Sequence, residues 1–316
     1  MKIGIIGSGR WATFLAWYAA RVGHEVILWG RETSARFKQL RETRRNATIT
    51  LPSNIQFTGE LRDLHECDLI LVGVAAQSLR EVLGAWDKNV RIPMVLCMKG
   101  LESQSGLRLS QVAAQALGED WPVAVWLGPG HPQDFAQEIP NCMVIDSVND
   151  ALTRKITDAF NSPLIRMYYG TDLIGNEIGA AAKNVIGIAA GMLDGSGRTS
   201  LKGPLMARAP YEISLLVVAM GGDIQSVYGL CHLGDYEATL FSQHSNNRLF
   251  GENYMRGIHS EKLAEGYYSL PAFVALANEL NVEMPICQGM YEVFYNGANP
   301  DSTLDRLMTR QTRYEF

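Results

Sequence analysis

The chain opens with KIGIIGSGRWATFLAW, residues 2–17, and no other segment restricts its fold as tightly. An apolar run leads into glycines, and the glycines lead into a stretch with helical spacing. Gly7, Gly9 and Ala12 form Gly-x-Gly-x-x-Ala. The first glycine permits a tight strand-to-helix turn. The second lets a pyrophosphate approach the backbone at a helix N-terminus, and Ala12 is small enough for helix to lie close on strand. A purely structural turn is the competing reading. The context favours a dinucleotide site, because a strand precedes the glycines, a helix follows, and a second strand ends near residue 29.

That second strand ends LWGRE. An NAD-selective turn carries an acid here to hold the ribose 2′-hydroxyl. Gly30 and Arg31 occupy the candidate positions, and Glu32 stands one step too far along. Arg31 suits the 2′-phosphate of NADP. The cofactor expectation is NADP or NAD, with NADPH favoured.

Further strands are expected at DLILVGV, PMVLCM, VAVWL, CMVI and LIRMYY, with helical stretches at Ala12–Val22 and Ser78–Trp86 between the earlier ones. Short, nearly continuous apolar runs are what a parallel sheet covered on both faces requires. After Gly170 the rhythm stops and helical spacing takes over. The expected architecture is a doubly wound, mostly parallel α/β domain over residues 1–170 and an all-α domain over 171–316.

With 316 residues and 47% hydrophobic composition, the chain can bury a sizeable core. Its net charge of −5 argues against general nucleic-acid binding. The basic run Arg36, Lys38, Arg41, Arg44 and Arg45 reads as a solvated helix face. Cys67, Cys97, Cys142, Cys231 and Cys287 are scattered without a Cys-x-x-Cys pair, which argues against a disulfide framework and a zinc site, so no metal is expected. No apolar run is long enough to span a membrane and no leader is read, so the default expectation is a soluble cytoplasmic protein.

One feature resists a bland explanation. In GNEIGAAAKNVIGIAAG, residues 175–191, Lys183 has Gly179, Ala180, Ile186 and Gly187 as its helical neighbours, and none is charged. Either its stem covers apolar surface while the amine reaches water, or the amine enters a cleft where desolvation makes it a usable proton donor.

The segments GSGRWAT, NATITLP, MKGLE, GPGHPQDFAQE, GAAAKNVIGIAAG, LMARAPYEI, LGDYEAT, SNNRLFG and AEGYY, in this order, resemble the bacterial NAD(P)-dependent glycerol-3-phosphate dehydrogenases over nearly the whole chain. The resemblance implies a Rossmann domain, a helical domain and an active site between them. It also implies interconversion of dihydroxyacetone phosphate and sn-glycerol 3-phosphate, in supply of phospholipid precursors. By this resemblance Lys183 is the proton donor and acceptor, Lys99 a second lysine at the junction of cofactor and substrate, and Asp235 the carboxylate near the catalytic lysine. Asn184, Gly128 and Thr239 fall at substrate positions. Arg10, Trp11, Arg31, Ala136 and Glu265 join Gly7, Gly9, Ala12 and Lys99 on the cofactor side. The implied partner is a small phosphorylated three-carbon substrate, with a homodimer left open.

The chain departs from the family in its phosphate loop. The family reads Ser-Arg-Asn where this sequence reads Ser245-Asn246-Asn247, so an amide replaces a bidentate cation. Arg248 is the nearby cation expected to take over, with helix N-terminal amides after Ser245. His131 is read as a hydrogen-bonding loop residue and Tyr236 as a packing change. The departures keep two other readings open: a dehydrogenase for another small 2-keto or 2-hydroxy compound, and a cofactor-binding protein with little turnover.

Overall fold

In the computed structural model, residues 1–260, 264–312 and 314–315 are described. The first part of the chain alternates strand and helix: β1 (Lys2–Ile6), α1 (Arg10–Arg21), β2 (Glu25–Trp29), α2 (Ala35–Thr43), β3 (Gln56–Thr58), β4 (Leu69–Val72), α3 (Leu79–Gly84), β5 (Met94–Leu96), α4 (Leu109–Leu117), β6 (Val123–Leu127), α5 (Pro132–Ala136), β7 (Asn141–Asp146), α6 (Asp150–Phe160) and β8 (Ile165–Tyr169). They build one sheet in the order β3-β2-β1-β4-β5-β6-β7-β8. All pairings are parallel except β6 with β7. This is the doubly wound Rossmann arrangement the sequence predicts. Every expected strand is present. The unexpected one, β3, is only Gln-Phe-Thr, too short and too polar to carry a strand pattern.

The apolar runs lack alternation because both faces are covered. Ile5, Leu71 and Val95 pack on the α1 side, while Ile6, Val72 and Leu96 pack on the α3 and α4 side. Successive residues of one strand thus serve two cores. The expected basic helix face is α2, which ends at Arg44 in the left-handed region.

The second part is helical: α7 (Leu173–Gly195), α8 (Lys202–Ala219), α9 (Asn246–Met255), α10 (Glu265–Glu279), α11 (Pro285–Asn296) and α12 (Pro300–Met308). The Asp172 carboxylate caps α7, accepting from Gly175 N–H. Helix α7 is the axis of this part, buried along most of its length from Gly175 to Leu193. Its small residues allow helices to approach until backbones touch. A Cβ on Gly191 would overlap the Arg248 carbonyl, and one on Gly251 would overlap the Ile188 carbonyl. Helices α7 and α9 therefore cross at backbone contact.

Two polar ties join the start of α4 and the end of β7 to α7. Glu177 accepts from Arg108 Nη1 at 2.5 Å, Ser110 Oγ at 2.6 Å and Ser110 N–H at 2.8 Å. Asn176 Nδ2 donates to Asp146 Oδ2 at 2.7 Å. Among the described residues no helix is long and apolar enough to cross a membrane.

The α7–α9 crossing leaves no room for a methyl group. Gly251→Ala is expected to lower unfolding stability by about 1–3 kcal/mol through overpacking. Chemical denaturation measures it, and wild-type stability in that variant would contradict the backbone contact.

Candidate active site

Parallel strands end on one edge of a sheet, and that edge carries the site's first half. Gly7 follows β1, Gly73 follows β4, Lys99 lies three residues beyond β5, and Gly128 follows β6. The second half comes from α7 and from the segment linking α8 to α9.

Lys183 sits on α7 at 8% exposure. Its Nζ lies 3.0 Å from Asp235 Oδ2 and donates to Thr239 Oγ1 at 2.7 Å. Its charged partner thus comes from a remote segment, not from its own helix. The small neighbours make this approach feasible. A Cβ on Gly187 would lie 2.7 Å from the Thr239 methyl, and one on Gly179 would lie 2.9 Å from His232 Cβ. Thr239 stands in a π-helical turn, Glu237–Phe241, a local widening that recurs at functional sites.

Asp235 is shared. Its Oδ2 also accepts from Lys99 Nζ at 2.6 Å, and Lys99 Nζ donates further to the Gly128 carbonyl at 2.6 Å. One buried carboxylate therefore holds two ammonium groups, one from each half of the molecule. Burial pushes the Lys183 amine down to about 8; Asp235 opposes this and Lys99 adds to it. The amine is thereby able to give and take a proton near neutral pH.

The segment carrying Asp235 is fastened by His232. Its ring bridges the Gly179 carbonyl at 2.9 Å and the Tyr236 hydroxyl at 2.8 Å. Burial pushes His232 down to about 4, so it stays neutral. Tyr236, expected only to pack, is a hydrogen-bonding partner in this clasp. His131 is a hydrogen-bonding residue as expected: its Nε2 meets the Ala238 carbonyl at 2.6 Å, at the start of α5.

In the loop before α9 the expected substrate residues Ser245, Asn247 and Arg248 meet protein groups. Arg248, expected to face a phosphate, is held by other groups. Its Nη1 donates to Asp194 at 2.9 Å and Glu252 at 2.8 Å, and its Nε to the Ser242 carbonyl at 3.1 Å. The cause is helical geometry: two positions beyond Asn246, the side chain turns by about 200° and lies over α7. Asn247, expected at the substrate, spends its amide on architecture. Its Nδ2 donates to Asn184 Oδ1 at 3.0 Å and its Oδ1 accepts from Gly266 N–H at 3.0 Å. Ser245 caps α9, accepting from Arg248 N–H. Asn184 is oriented by this chain, while Asn246 occupies the first position of α9.

On the cofactor side, Gly7 has φ 128° and donates to the Trp29 carbonyl at 3.0 Å; a Cβ there would lie 2.7 Å from the Gly73 carbonyl. A Cβ on Gly9 would meet nothing within 4 Å, so open space lies before the first turn of α1, where Arg10, Trp11 and Ala12 stand. Among the described residues, the Trp11 Nε1 and Glu265 Oε2 atoms are buried without a hydrogen-bond partner. Burial raises the Glu265 carboxyl to about 7. Two unpaired buried polar atoms and an open glycine-lined turn fit a nicotinamide dinucleotide. Arg31 pairs with Glu81 at 3.0 Å on the surface. Glu32 is taken by Arg41 at 2.6 Å, so it is not free to hold a ribose. Ala136 ends α5 and packs beside the α1-side core.

Sequence reasoning missed the Arg108–Ser110–Glu177 tie and His244, whose ring lies 6.0 Å from that of His131. No spacing signals the first. The second stands two residues before the altered Asn246.

A dinucleotide turn after β1 and a buried Lys99–Asp235–Lys183 cluster that joins the two parts of the chain define a nicotinamide-dependent dehydrogenase. Models of the NAD-dependent glycerol-3-phosphate dehydrogenase N-terminus and C-terminus match residues 2–153 and 172–305. The chain belongs to that family. It is 35% identical to a glycerol-3-phosphate dehydrogenase [NAD(P)+] of Chlorobium luteolum, over 100% of this chain and 99% of the relative. It is 36% identical to the enzyme of the same description from Caulobacter vibrioides, over 99% and 98%. The crystal structure of glycerol-3-phosphate dehydrogenase from Coxiella burnetii superposes with a TM-score of 0.91 at 27% identity, covering 98% of this chain and 99% of that one.

The geometry gives Arg248 a structural task. Arg248→Ala is expected to cost on the order of 1–3 kcal/mol of stability. That is less than isolating a buried ion, because Asp194 keeps Lys202 and Glu252 keeps Arg256. Thermal unfolding, read alongside KM, checks this. A large KM increase in a protein of unchanged stability would return Arg248 to the substrate.

Proposed function

We propose that this chain interconverts dihydroxyacetone phosphate and sn-glycerol 3-phosphate with NADP or NAD, and that Lys183 exchanges the proton. The observation that carries the reading is the buried Lys99–Asp235–Lys183 cluster, assembled from both halves of the molecule at the dinucleotide edge of the sheet. The reading includes supply of the glycerol phosphate backbone of phospholipids in the cytoplasm.

Gly7, Gly9, Arg10, Trp11, Ala12, Arg31, Ala136 and Glu265 are assigned to holding the cofactor, which when bound supplies or accepts a hydride at C2 of the substrate. Arg31 and the engagement of Glu32 by Arg41 favour NADPH. The Lys183 ammonium donates a hydrogen bond to the substrate's carbonyl oxygen, stabilises the negative charge that develops there, and then transfers its proton. Asp235 keeps that ammonium charged and in place. Lys99 weakens its hold on the proton and, tied to the Gly128 carbonyl, stands where cofactor and substrate meet. Thr239 accepts from Lys183 and limits the rotation of its Nζ. Asn184, held by Asn247, and Asn246 offer amides to the substrate.

The direction of pH dependence follows from Lys183. Reduction needs the ammonium, so its kcat/KM is expected to fall as pH rises through about 8. Oxidation needs the neutral amine and is expected to fall as pH drops below that value. The test is NADPH oxidation with dihydroxyacetone phosphate against a panel of 2-keto acids, in wild type and Lys183→Ala. The expected outcome is a clear preference for dihydroxyacetone phosphate and a loss of ~10²–10⁴ in kcat for the variant, with NADPH binding retained. A keto acid turned over faster, or near-normal kcat in the folded variant, would overturn the proposal.

A further inference from the structure

The loop before α9 carries Asn246 where the family reads arginine, and the nearby cations are occupied. Arg248 is bound to Asp194 and Glu252. Lys202 donates to Asp194 at 2.6 Å and to the Leu240 carbonyl at 2.9 Å. Lys99 and Lys183 share Asp235. A phosphate dianion needs donors beyond these.

Two imidazoles stand beside the start of α9. His131, at the start of α5, is fixed through Nε2 to the Ala238 carbonyl. Ala238 adjoins Thr239, the partner of Lys183, so His131 lies next to the catalytic ammonium. His244 is exposed, and its ring meets that of His131 edge-on, with centroids 6.0 Å apart. From His244 the chain passes through the capping Ser245 to Asn246, whose side chain has no hydrogen bond among the described residues. A continuous row therefore runs from Lys183 through His131 and His244 to the first residue of α9. Resting on the reading above, we infer that His131 and His244 form the phosphate subsite, doing in this chain the work of the missing arginine.

The chemistry is specific. A carbonyl only accepts, so the His131 Nε2 proton is spent on Ala238. The phosphate is met by Nδ1 carrying a second proton. Burial is the largest influence and lowers the His131 pKa, with Lys183 adding to it against the Ala238 carbonyl, Asp235 and Asp134, so the imidazolium needs the anion. An arriving dianion supplies the charge that stabilises it. His244 adds a donor from the solvent side, with the Asn246 amide between it and the helix start.

The experiment compares dihydroxyacetone phosphate with unphosphorylated dihydroxyacetone as NADPH-linked substrates. The variants are His131→Gln, which retains a donor for the Ala238 carbonyl, His244→Gln and the double variant. The ratio of kcat/KM for the phosphorylated over the unphosphorylated substrate is expected to fall about tenfold for each single change, chiefly through KM. Adding Asn246→Arg to the double variant is expected to restore part of the preference. An unchanged ratio in both single variants, with wild type active on dihydroxyacetone phosphate, would overturn the inference while leaving the proposed reaction standing. A wild type that turns over the two substrates equally well would overturn the reaction itself. Because His244 is exposed, its variant keeps the test decisive even if His131→Gln fails to fold.

Discussion

The shared Oδ2 of Asp235 is the contact on which this site depends. Two ammonium groups lie within 3.0 Å of one buried carboxylate oxygen. Without the carboxylate they would repel one another in a medium that screens poorly. With it, one lysine is held in each half of the molecule, and the two halves must be packed for the cluster to exist. Site assembly and the packing of the two halves are thus the same event. The carboxylate in turn depends on the His232 clasp, which pins its segment to α7 through the Gly179 carbonyl.

Small residues make the arrangement feasible. A helix with large side chains around Lys183 would hold the Asp235 segment and α9 several ångströms away. Gly179 and Gly187 admit His232 and Thr239, while Gly191 and Gly251 bring α7 and α9 to backbone contact. The Asn184–Asn247–Gly266 chain then links α7, α9 and α10 across that narrow gap. The absence of charged neighbours around Lys183 in the sequence and the closeness of its remote partner are one fact seen at two levels.

Much of this was legible in the sequence. The glycine turn, the uninterrupted apolar strands and the change of rhythm after Gly170 correspond to the observed sheet and helices. Lys183 was conspicuous because a cation among small residues needs a partner from elsewhere, and Asp235 is that partner. What was not legible is where a side chain turns at the end of a loop. Arg248 sits close in sequence to the altered Asn246, yet it faces Asp194, because register on α9 and not proximity decides its direction. Asn247 likewise bridges two helices, and nothing in its sequence neighbourhood announces Gly266. The edge-on pair of His131 and His244, 113 residues apart, exists only once α5 and the loop before α9 have met.

The most direct test of Asp235 as keeper of the catalytic charge is the pH dependence of NADPH-linked reduction in Asp235→Asn. The amide preserves shape and removes the negative charge that holds the proton on Lys183. The account predicts that the midpoint at which kcat/KM falls with rising pH moves to lower pH than in wild type. A midpoint that stays in place or moves upward would contradict it.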